Sequence, residues 1–440
     1  MSTIVRYAPS PTGRLHLGNA RPALLNWLYA IRTGGTYILR LDDTDTARST
    51  DQFARAIEAD LDWLGVRPDL EVRQSDRMAL YDAARDRLIA AGRLYPAYET
   101  EDELEIKRGR ARLLGKPPIY DRAALALTDE QKRRYEAEGR QPHWRFKLDG
   151  RPVEFNDLIK GPQTVNTASM SDPVLIRADG SYLYTLCSVV DDIDLGVTQV
   201  IRGEDHVSNT GTQIEIFEAL GGRVPEFAHH NLLTGAEGEG LSKRLGSLSL
   251  GELREAGYEA MAVALVATLT GSSLPVEPYP DLAALAARLD LTMISHGSAR
   301  FDPAELDSLN ARILHAMPYE TARPRLPRAI GAAAWDILRA NLQKFSDIEL
   351  WAAVIEGDLR HPAAPDDRAF LAEASELLPP EPWDETTWAK WTAALKEKSG
   401  RKGRALFHPL RLALTGREDG PELKSLLPLL GRRACRDRLS

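Results

Sequence analysis

The sequence of 440 residues predicts an α/β protein: a parallel sheet split by an inserted α+β domain and followed by an all-α C-terminal region. Two observations carry this prediction. Two-residue and 3.6-residue hydrophobic periods alternate near the N-terminus, which is typical of strands and helices in a parallel sheet. From about residue 81 to 180 the pattern changes to charged helical stretches and short strand-like runs such as "HWRFKL", and buried strands then resume in "VTQVIRGEDH". After about residue 250 the pattern is predominantly helical.

The first elements follow one another in the order strand, helix, strand, helix. "TIVRY" (3–7) and "YILRL" (37–41) have the apolar character of buried strands. Between them, Leu24, Leu28 and Ile31 mark one face of a helix. The next helix carries an apolar face formed by Phe53, Ile57, Leu61 and Leu64.

Composition places the chain among globular proteins that work in a reducing compartment. It is 43% hydrophobic and 27% charged, has a net charge of −8, and lacks any apolar run near the ~20 residues that span a bilayer. Its cysteines, Cys187 and Cys435, are too far apart in sequence to suggest a disulfide framework or a zinc cluster. Because the N-terminus also lacks a targeting pattern, we expect a cytoplasmic protein with no membrane partner.

The stretch "APSPTGRLHLGNAR" after the first strand has the features of a phosphate-binding loop. Pro9 and Pro11 stiffen the exit from the strand, while Gly13 and Gly18 allow unusual backbone angles and close approach of a ligand. The helix that follows presents free N–H groups and a partial positive charge to an anion. His16, at the helix entry, is a candidate ligand contact, although a lone histidine there is often a cap or a packed ring.

A second candidate phosphate site is "LSKRLGS" at 241–247, beside the glycine-rich "TGAEGEG". A surface Lys-Arg pair is usually just solvated. Here, Lys243 could supply a point charge and Arg244 a fork of donors to a polyphosphate. Combined with the first loop, the pair predicts a polyphosphate site formed by both segments.

In combination, these motifs resemble those of class I aminoacyl-tRNA synthetases, in the bacterial glutamyl form. "APSPTGRLHLGNAR" resembles the family's HIGH signature and "LSKRLGS" its KMSKS signature; "VVDDIDLGVTQVIRGEDHVSNT", "ARFDPAELDSLNAR" and "ALFHPLRLALTGREDGPEL" also resemble it, over 6–431. The resemblance implies that glutamate and ATP form glutamyl-adenylate, which then esterifies the terminal adenosine of tRNA(Glu). The implied domains are a Rossmann-type catalytic domain in two halves (1–78 and 186–250), an acceptor-stem-binding insertion (79–185), a stem-contact domain (251–322) and a helical anticodon-binding region (323–440).

The same resemblance implies the site residues. The catalytic residues are His16, Gly18, Lys243 and Arg244. The ATP contacts are Pro9, Ser10, Thr12, Gly13, His16, Gly18, Asn19, Ser242 and Lys243. The wall of the L-glutamate pocket is Arg6, Ala8, Ser10, Asp42, Tyr184, Ser188 and Arg202. We expect Arg6 and Tyr184 at the side-chain carboxylate, Arg202 at the α-carboxylate and Asp42 at the ammonium group. Mg²⁺ is expected to enter with ATP.

The sequence departs from the family pattern at several positions. Asp42 stands where glutamate is more usual, Ser188 where asparagine is usual, and Gly240 in place of the first loop lysine, which leaves Lys243 as the loop's lysine. Some relatives bind zinc through Cys and His residues in the insertion. Ala97, Glu99 and Ala124 occupy those positions here, and we therefore expect no structural zinc.

One alternative stays open within the family: an enzyme that also glutamylates tRNA(Gln) for later amidation. A glutaminyl-tRNA synthetase is disfavoured because a glutamine pocket has little use for a buried Arg6. An inactive tRNA-binding scaffold is disfavoured because His16, Gly18 and Lys243 are all present. We expect the protein to be a monomer.

Overall fold

The computed structural model describes residues 2–235, 249–357 and 364–440. These residues form two compact units. The first comprises the chain up to residue 252 together with 263–302, and the second comprises 253–262 together with 303–440. Each unit is built from the elements given below.

The first unit begins with a three-stranded parallel sheet. Its elements are β1 (Ile4–Tyr7), α1 (Leu17–Thr33), β2 (Thr36–Leu41), α2 (Asp51–Trp63) and β3 (Leu70–Arg73). β2 is the central strand, and β1 and β3 pair with it in parallel register. The strands and helices predicted here are confirmed, with one difference on α1. Leu24 and Leu28 are buried, but Ile31, in the last turn of α1, is 47% exposed.

The stretch that the sequence assigns to an insertion contributes strands to two different sheets. Its elements are α3 (Met78–Ala90), β4 (Leu94–Ala97), α4 (Glu101–Leu113), α5 (Asp129–Ala137), β5 (His143–Phe146), β6 (Pro152–Asp157), β7 (Gly161–Asn166) and β8 (Val174–Ile176). β4, β5 and β8 form an antiparallel sheet of their own. β6 and β7 form a hairpin whose first strand pairs with β10, introduced below.

The chain then returns to parallel strands. The elements are α6 (Tyr184–Asp194), β9 (Gln199–Gly203), α7 (Val207–Ala219) and β10 (Glu226–His230). β10 lies between β9 and β6 in a four-stranded sheet. Thr198, just before β9, donates its backbone N–H to the carbonyl of Ile4 at 2.9 Å, so β9 begins beside β1. The carboxyl ends of β1, β2, β9 and β10 are therefore brought close to one another.

The first unit ends with short elements, and α8 and α9 cross its boundary with the second. The elements are β11 (Leu233–Thr234), α8 (Leu250–Glu255), α9 (Ala260–Leu269), α10 (Leu282–Arg288) and β12 (Ala299–Arg300). β11 and β12 pair in parallel. Across the described helices, none combines the length and apolar character needed to cross a membrane.

In the second unit, residues 303–357 and 364–440 form helices joined by loops. Its helices are α11 (Pro303–Ala316), α12 (Tyr319–Ala322), α13 (Ala332–Leu338), α14 (Asp347–Glu356), α15 (Arg368–Glu376), α16 (Thr387–Ser399), α17 (Arg404–Thr415) and α18 (Leu423–Leu439). They enclose one apolar core, in which Trp335 and Trp391 are among the largest fully buried side chains. The indole N–H of Trp391 donates to the Ala374 carbonyl at 3.0 Å, which joins α16 to α15.

Replacing Trp391 with alanine should destabilise the second unit. The change leaves a cavity and an unpaired carbonyl, and a loss of about 3–5 kcal/mol in the free energy of unfolding is expected. Urea denaturation followed by circular dichroism measures it. The matched control is Leu350→Ala, also in a helix of this unit but 51% exposed; it should change the free energy by less than about 0.5 kcal/mol. Equal effects from the two variants would contradict the proposed core.

Candidate active site

Most of the predicted site residues of the first unit line one cavity. It has a volume of about 690 Å³ and lies at the carboxyl ends of β1, β2, β9 and β10, where open parallel sheets usually bind their ligands. The predicted residues on its wall are Arg6, Ala8, Pro9, Ser10, Thr12, His16, Gly18, Asn19, Asp42, Tyr184 and Arg202. Gly13 and Ser188 are not among the lining residues. Gly240, Ser242, Lys243 and Arg244 lie outside the described residues.

The loop after β1 is held by backbone hydrogen bonds on both sides. The carbonyl of Pro9 accepts from Asp42 N at 2.9 Å, and that of Pro11 accepts from Thr50 N at 3.2 Å. Both prolines keep their carbonyl acceptors although they lack an N–H donor. The segment is thereby fixed against the end of β2 and the start of α2, as the predicted stiffness of the loop requires.

His16 caps α1 with its backbone and leaves its ring free. Its carbonyl accepts from Asn19 N at 2.8 Å and Ala20 N at 3.1 Å, while its own N–H donates to Asn19 Oδ1 at 3.3 Å. The ring lines the cavity, and its buried Nδ1 has no hydrogen-bond partner among the described residues. Burial also lowers the pKa of His16, which favours the neutral ring. A buried ring nitrogen with no partner is suited to contacting a ligand.

The two glycines of the loop have different surroundings. Gly13 does not have a left-handed backbone angle, and a Cβ added there would meet nothing within 4 Å. The left-handed conformation that a glycine allows is therefore not used at Gly13. Gly18 lies in the first turn of α1 and lines the cavity. There the missing side chain leaves room beside the amides at the helix N-terminus.

A buried network of charges forms the floor of the site. Arg40, which is fully buried in β2, binds Asp42 through its Nε at 2.7 Å and Asp192 through its Nη1 at 2.9 Å. Arg6 in β1 binds the same Asp192 with its Nε at 3.0 Å and its Nη2 at 3.3 Å. Ser188 is buried as well, and its Oγ accepts from Arg40 Nη2 at 3.0 Å. The predicted residue Ser188 thus contacts Arg40 instead of the cavity.

Asp42 lines the cavity beside its arginine partner. Burial raises the pKa of Asp42 to about 6, and the neighbouring Arg40 opposes that rise. The carboxylate is therefore ionised at neutral pH and protonates in mildly acidic solution. Its charge faces both Arg40 and the cavity, so it can meet a cationic group there.

Several residues of this network were missed by the sequence prediction. Asp191, next to Asp192 in α6, accepts from Arg77 Nε at 2.7 Å, Gln74 Nε2 at 2.7 Å and the Tyr81 hydroxyl at 3.0 Å. The available signal was the pair of acidic residues in "SVVDDID", within an otherwise apolar helix pattern. A charge on the buried face of a helix needs a partner, and that requirement could have identified both aspartates.

Arg202 differs from Arg6 and Arg40 because it binds no carboxylate of the described residues. It lies at the end of β9 and is 7% exposed. Its Nε donates to His229 Nε2 at 3.2 Å, its Nη1 to the Tyr184 hydroxyl at 3.3 Å and its Nη2 to Thr210 Oγ1 at 2.7 Å. Burial lowers the pKa of Arg202, the effect expected of a desolvated cation. Its charge is thus available to a carboxylate that enters the cavity.

Arg21 also lines the cavity as a buried arginine, beside Arg6, Arg40 and Arg202, and the sequence did not single it out. It extends from α1, is 1% exposed, and donates to the carbonyls of Ala267 and Thr270, each at 2.8 Å, and to Asn231 Oδ1. Burial lowers its pKa to about 10. Because its N–H groups donate to carbonyl oxygens at the end of α9, Arg21 fixes α1 against that helix.

Three residues occupy the positions where some relatives carry zinc ligands, and here they pack within the protein. Ala97 and Ala124 belong to a small apolar cluster with Tyr95. Glu99 Oε1 accepts from the Tyr120 hydroxyl at 2.9 Å. Within 2–235, 249–357 and 364–440, no group of three or more His, Cys, Asp or Glu side chains could hold a metal ion. The absence of structural zinc stays a prediction.

Family models match both units of the chain. Residues 2–307 match the catalytic domain of class I tRNA synthetases (E and Q), and residues 315–440 match an anticodon-binding domain. Together the two matches span nearly the full sequence. The α/β catalytic domain followed by a helical anticodon-binding domain is therefore confirmed.

Three similar proteins are named glutamate–tRNA ligases. Glutamate–tRNA ligase 2 of Methylobacterium sp. (strain 4-46) is 61% identical, and the match covers 100% of this chain and 99% of that protein. Glutamate–tRNA ligase 2 of Xanthobacter autotrophicus is 60% identical, with 99% and 96% covered. A crystal structure of a glutamate tRNA ligase from Elizabethkingia meningosepticum in complex with its amino acid has a TM-score of 0.86 at 26% identity, with 100% and 98% covered. None of these names favours the alternative with relaxed tRNA specificity. The chain belongs to the glutamate–tRNA ligases, a family of class I tRNA synthetases.

Proposed function

We propose that the cavity binds L-glutamate and ATP side by side for the first step of glutamate–tRNA ligation. The observation that carries this proposal is the position of Arg202: a buried cation without a carboxylate partner in the described residues shares one cavity with the N-terminus of α1. The first feature suits a carboxylate and the second suits phosphate. Their common cavity supports a reaction that joins the two.

On the ATP side, we propose contacts from the loop after β1 and the start of α1. His16 offers a neutral ring whose Nδ1 has no partner in the part of the chain that the structure describes, and Gly18 leaves the helix N-terminus accessible. Pro9, Ser10, Thr12 and Asn19 line the same part of the wall, and we keep Gly13 as a backbone contact. Ser242, Lys243 and Arg244 are proposed from their sequence motif to complete the phosphate site.

On the glutamate side, the hydrogen bonds favour one change in the division of roles. Tyr184 lies against Arg202, so we propose that these two residues hold the side-chain carboxylate together. Arg6 is already bound by Asp192 and would hold the α-carboxylate in part. Asp42 would bind the ammonium group, and Ala8 and Ser10 would complete the wall. Ser188 would act through Arg40, whose position it helps to fix.

The chemistry needs positioning and charge stabilisation more than a protein nucleophile. An oxygen of the glutamate α-carboxylate forms a bond to the α-phosphorus of ATP, and the bond to pyrophosphate breaks. The terminal adenosine hydroxyl of tRNA then attacks the glutamyl carbonyl, and AMP leaves. Holding two anions at bonding distance requires fixed cations and N–H donors. Arg202, Lys243 and the α1 N-terminus would supply them.

We propose that Mg²⁺ accompanies ATP and is bound mainly by phosphate oxygens and water. The carboxylates on the cavity wall are Asp42 and Asp205. Asp42 is bound by Arg40, which leaves the wall with few oxygen ligands for a metal ion. The residues therefore fit an ion delivered by the nucleotide.

For partners and location, we propose a monomer that acts on tRNA(Glu) in the cytoplasm, where its tRNA and ATP are used for protein synthesis. We also retain as proposals the acceptor-stem-binding insertion at 79–185 and the stem-contact domain at 251–322. The relatives' names support glutamate as the amino acid and do not favour tRNA(Gln) as a second partner. Sedimentation of the purified protein would measure the oligomeric state.

A charging panel tests the function. Purified protein is incubated with ATP, each of the amino acids glutamate and glutamine, and each of tRNA(Glu) and tRNA(Gln). We expect glutamate to be esterified to tRNA(Glu). We expect no product with glutamine, because its side-chain amide cannot supply the negative charge that the buried Arg202 requires. Product on tRNA(Gln) would restore the alternative with relaxed specificity, and no product on either tRNA would refute the proposal.

Lys243→Ala should slow adenylate formation. Losing one strong donor to the charge that develops on the phosphates should reduce kcat by about 100-fold to 1,000-fold. ATP/pyrophosphate exchange in the presence of tRNA measures this step. The matched control is Arg55→Ala, which removes an exposed cation from α2 of the first unit and away from the cavity wall, and it should leave the rate unchanged. An unaltered exchange rate in Lys243→Ala would contradict the assigned role.

The affinity for glutamate should fall in mildly acidic solution because Asp42 loses its charge there. Burial places its pKa near 6, so the carboxylate that binds the ammonium group is present at pH 7.5 and is lost as the pH falls through 6. Between pH 7.5 and 5.5, the KM for glutamate should rise about fourfold. In Asp42→Asn, the KM should be high at both pH values and change less than twofold. An equal rise in the variant would assign the pH effect to another group.

A further inference from the structure

The residue directly behind Arg202 is a buried histidine on the neighbouring strand. His229 lies in β10, paired with Arg202 of β9, and its side chain has no exposed surface. Its Nε2 accepts the hydrogen bond from Arg202 Nε. With Nε held by His229 and Nη2 held by Thr210, the remaining Nη1 is directed to Tyr184 and the cavity.

His229 is itself fixed by a buried carboxylate. Its Nδ1 lies 2.5 Å from Asp157 Oδ2, and its backbone N–H donates to the same oxygen at 3.1 Å. Asp157 also accepts from the backbone N–H groups of Ile159 and Lys160, each at 2.9 Å, in the turn between β6 and β7. Phe227 stacks on the imidazole at a centroid distance of 6.2 Å. Little freedom remains for the ring to rotate.

These contacts define where the proton of His229 lies. A carboxylate only accepts, so Nδ1 carries the hydrogen, and Nε2 presents a lone pair to Arg202. Burial lowers the pKa of His229, the hydrogen bond with Asp157 opposes that shift without reversing it, and the positive charge of Arg202 adds to it. The ring is therefore neutral and in a single tautomer.

We propose that Asp157 and His229 are positioning residues that hold the Arg202 guanidinium ready for a substrate carboxylate. This inference rests on the proposed function of Arg202 as a glutamate ligand. The choice of a neutral imidazole has a physical reason. A carboxylate in direct contact would neutralise the arginine, as Asp192 does for Arg6, whereas a neutral acceptor fixes the fork and leaves its charge to the substrate.

Two substitutions at His229 separate positioning from a purely structural role. Asparagine can donate to Asp157 from a position close to Nδ1 but is too short to reach Arg202. Glutamine can place its amide oxygen close to the Nε2 position and accept from Arg202. If His229 acts through Arg202, His229→Gln should preserve function better than His229→Asn. If it only anchors β10 to Asp157, the order should reverse.

Aminoacylation kinetics with tRNA(Glu) provide the measurement. In His229→Asn, the KM for glutamate should rise about tenfold, the loss expected for one hydrogen bond to a charged group, while the KM for ATP stays within twofold. In His229→Gln, the KM for glutamate should stay within about threefold of the parent. A thermal melt of each variant verifies folding. An unchanged KM for glutamate in His229→Asn, or a larger rise in His229→Gln, overturns the proposal.

A double-mutant cycle with Arg202→Ala distinguishes this inference from the function on which it rests. In the Arg202→Ala background, His229→Asn should add less than a twofold change in the KM for glutamate, because its target is gone. If Arg202→Ala alone leaves that KM unchanged, both the assignment of Arg202 and the positioning role fail. If Arg202→Ala weakens glutamate binding but the two changes multiply independently, only the positioning role fails.

Discussion

The site depends on the burial of Arg40. This side chain is fully buried in the central strand β2 and is bound by Asp42 of the same strand segment and by Asp192 of α6. Removing one partner from a buried ion pair costs about 3–5 kcal/mol, because the other charge stays in a medium of low polarity. Arg40 therefore fixes α6 against β2. The helix in turn carries Tyr184 at its start and Ser188 in its second turn, so both positions follow from this contact.

The arginines of the site fall into two electrostatic classes. Arg6 and Arg40 share the carboxylates of Asp42 and Asp192, and their positive charges are largely compensated within the protein. Within the described residues, Arg202 and Arg21 donate to uncharged acceptors. The compensated cations give the pocket its shape, and the uncompensated ones give it a preference for an anion. A neutral amide in place of the substrate carboxylate would leave Arg202 buried without a counter-charge, which supports selection against glutamine.

Local patterns in the sequence predicted the strands β1 and β2 and the helices α1 and α2, and the family resemblance of its motifs implied most of the cavity wall. These features depend on residues within a few positions of one another, or on motifs that carry a recognisable chemistry. The contact of Arg40 with Asp192 joins residues 152 positions apart, and no local pattern specifies it. Ile31 fails for a related reason: it fits the helical period of Leu24 and Leu28, but it lies in the last turn of α1, and the period does not specify which other segments cover the end of a helix.

The hairpin of β6 and β7 is a second long-range contact of the candidate site that no local pattern specifies. Its sequence lies within the stretch assigned to an insertion, yet β6 pairs with β10 and supplies Asp157 to His229. Lys160, in the turn of the hairpin, also binds Glu204 at 2.6 Å, just beyond the end of β9. The hairpin thus contacts both strands that carry the Arg202 environment. Because these bonds are buried or half-buried and short, a displacement of the hairpin would change the support of Arg202 before it changed the loop that faces ATP. The glutamate side of the cavity is therefore physically continuous with the insertion, whereas the ATP side rests on β1 and α1.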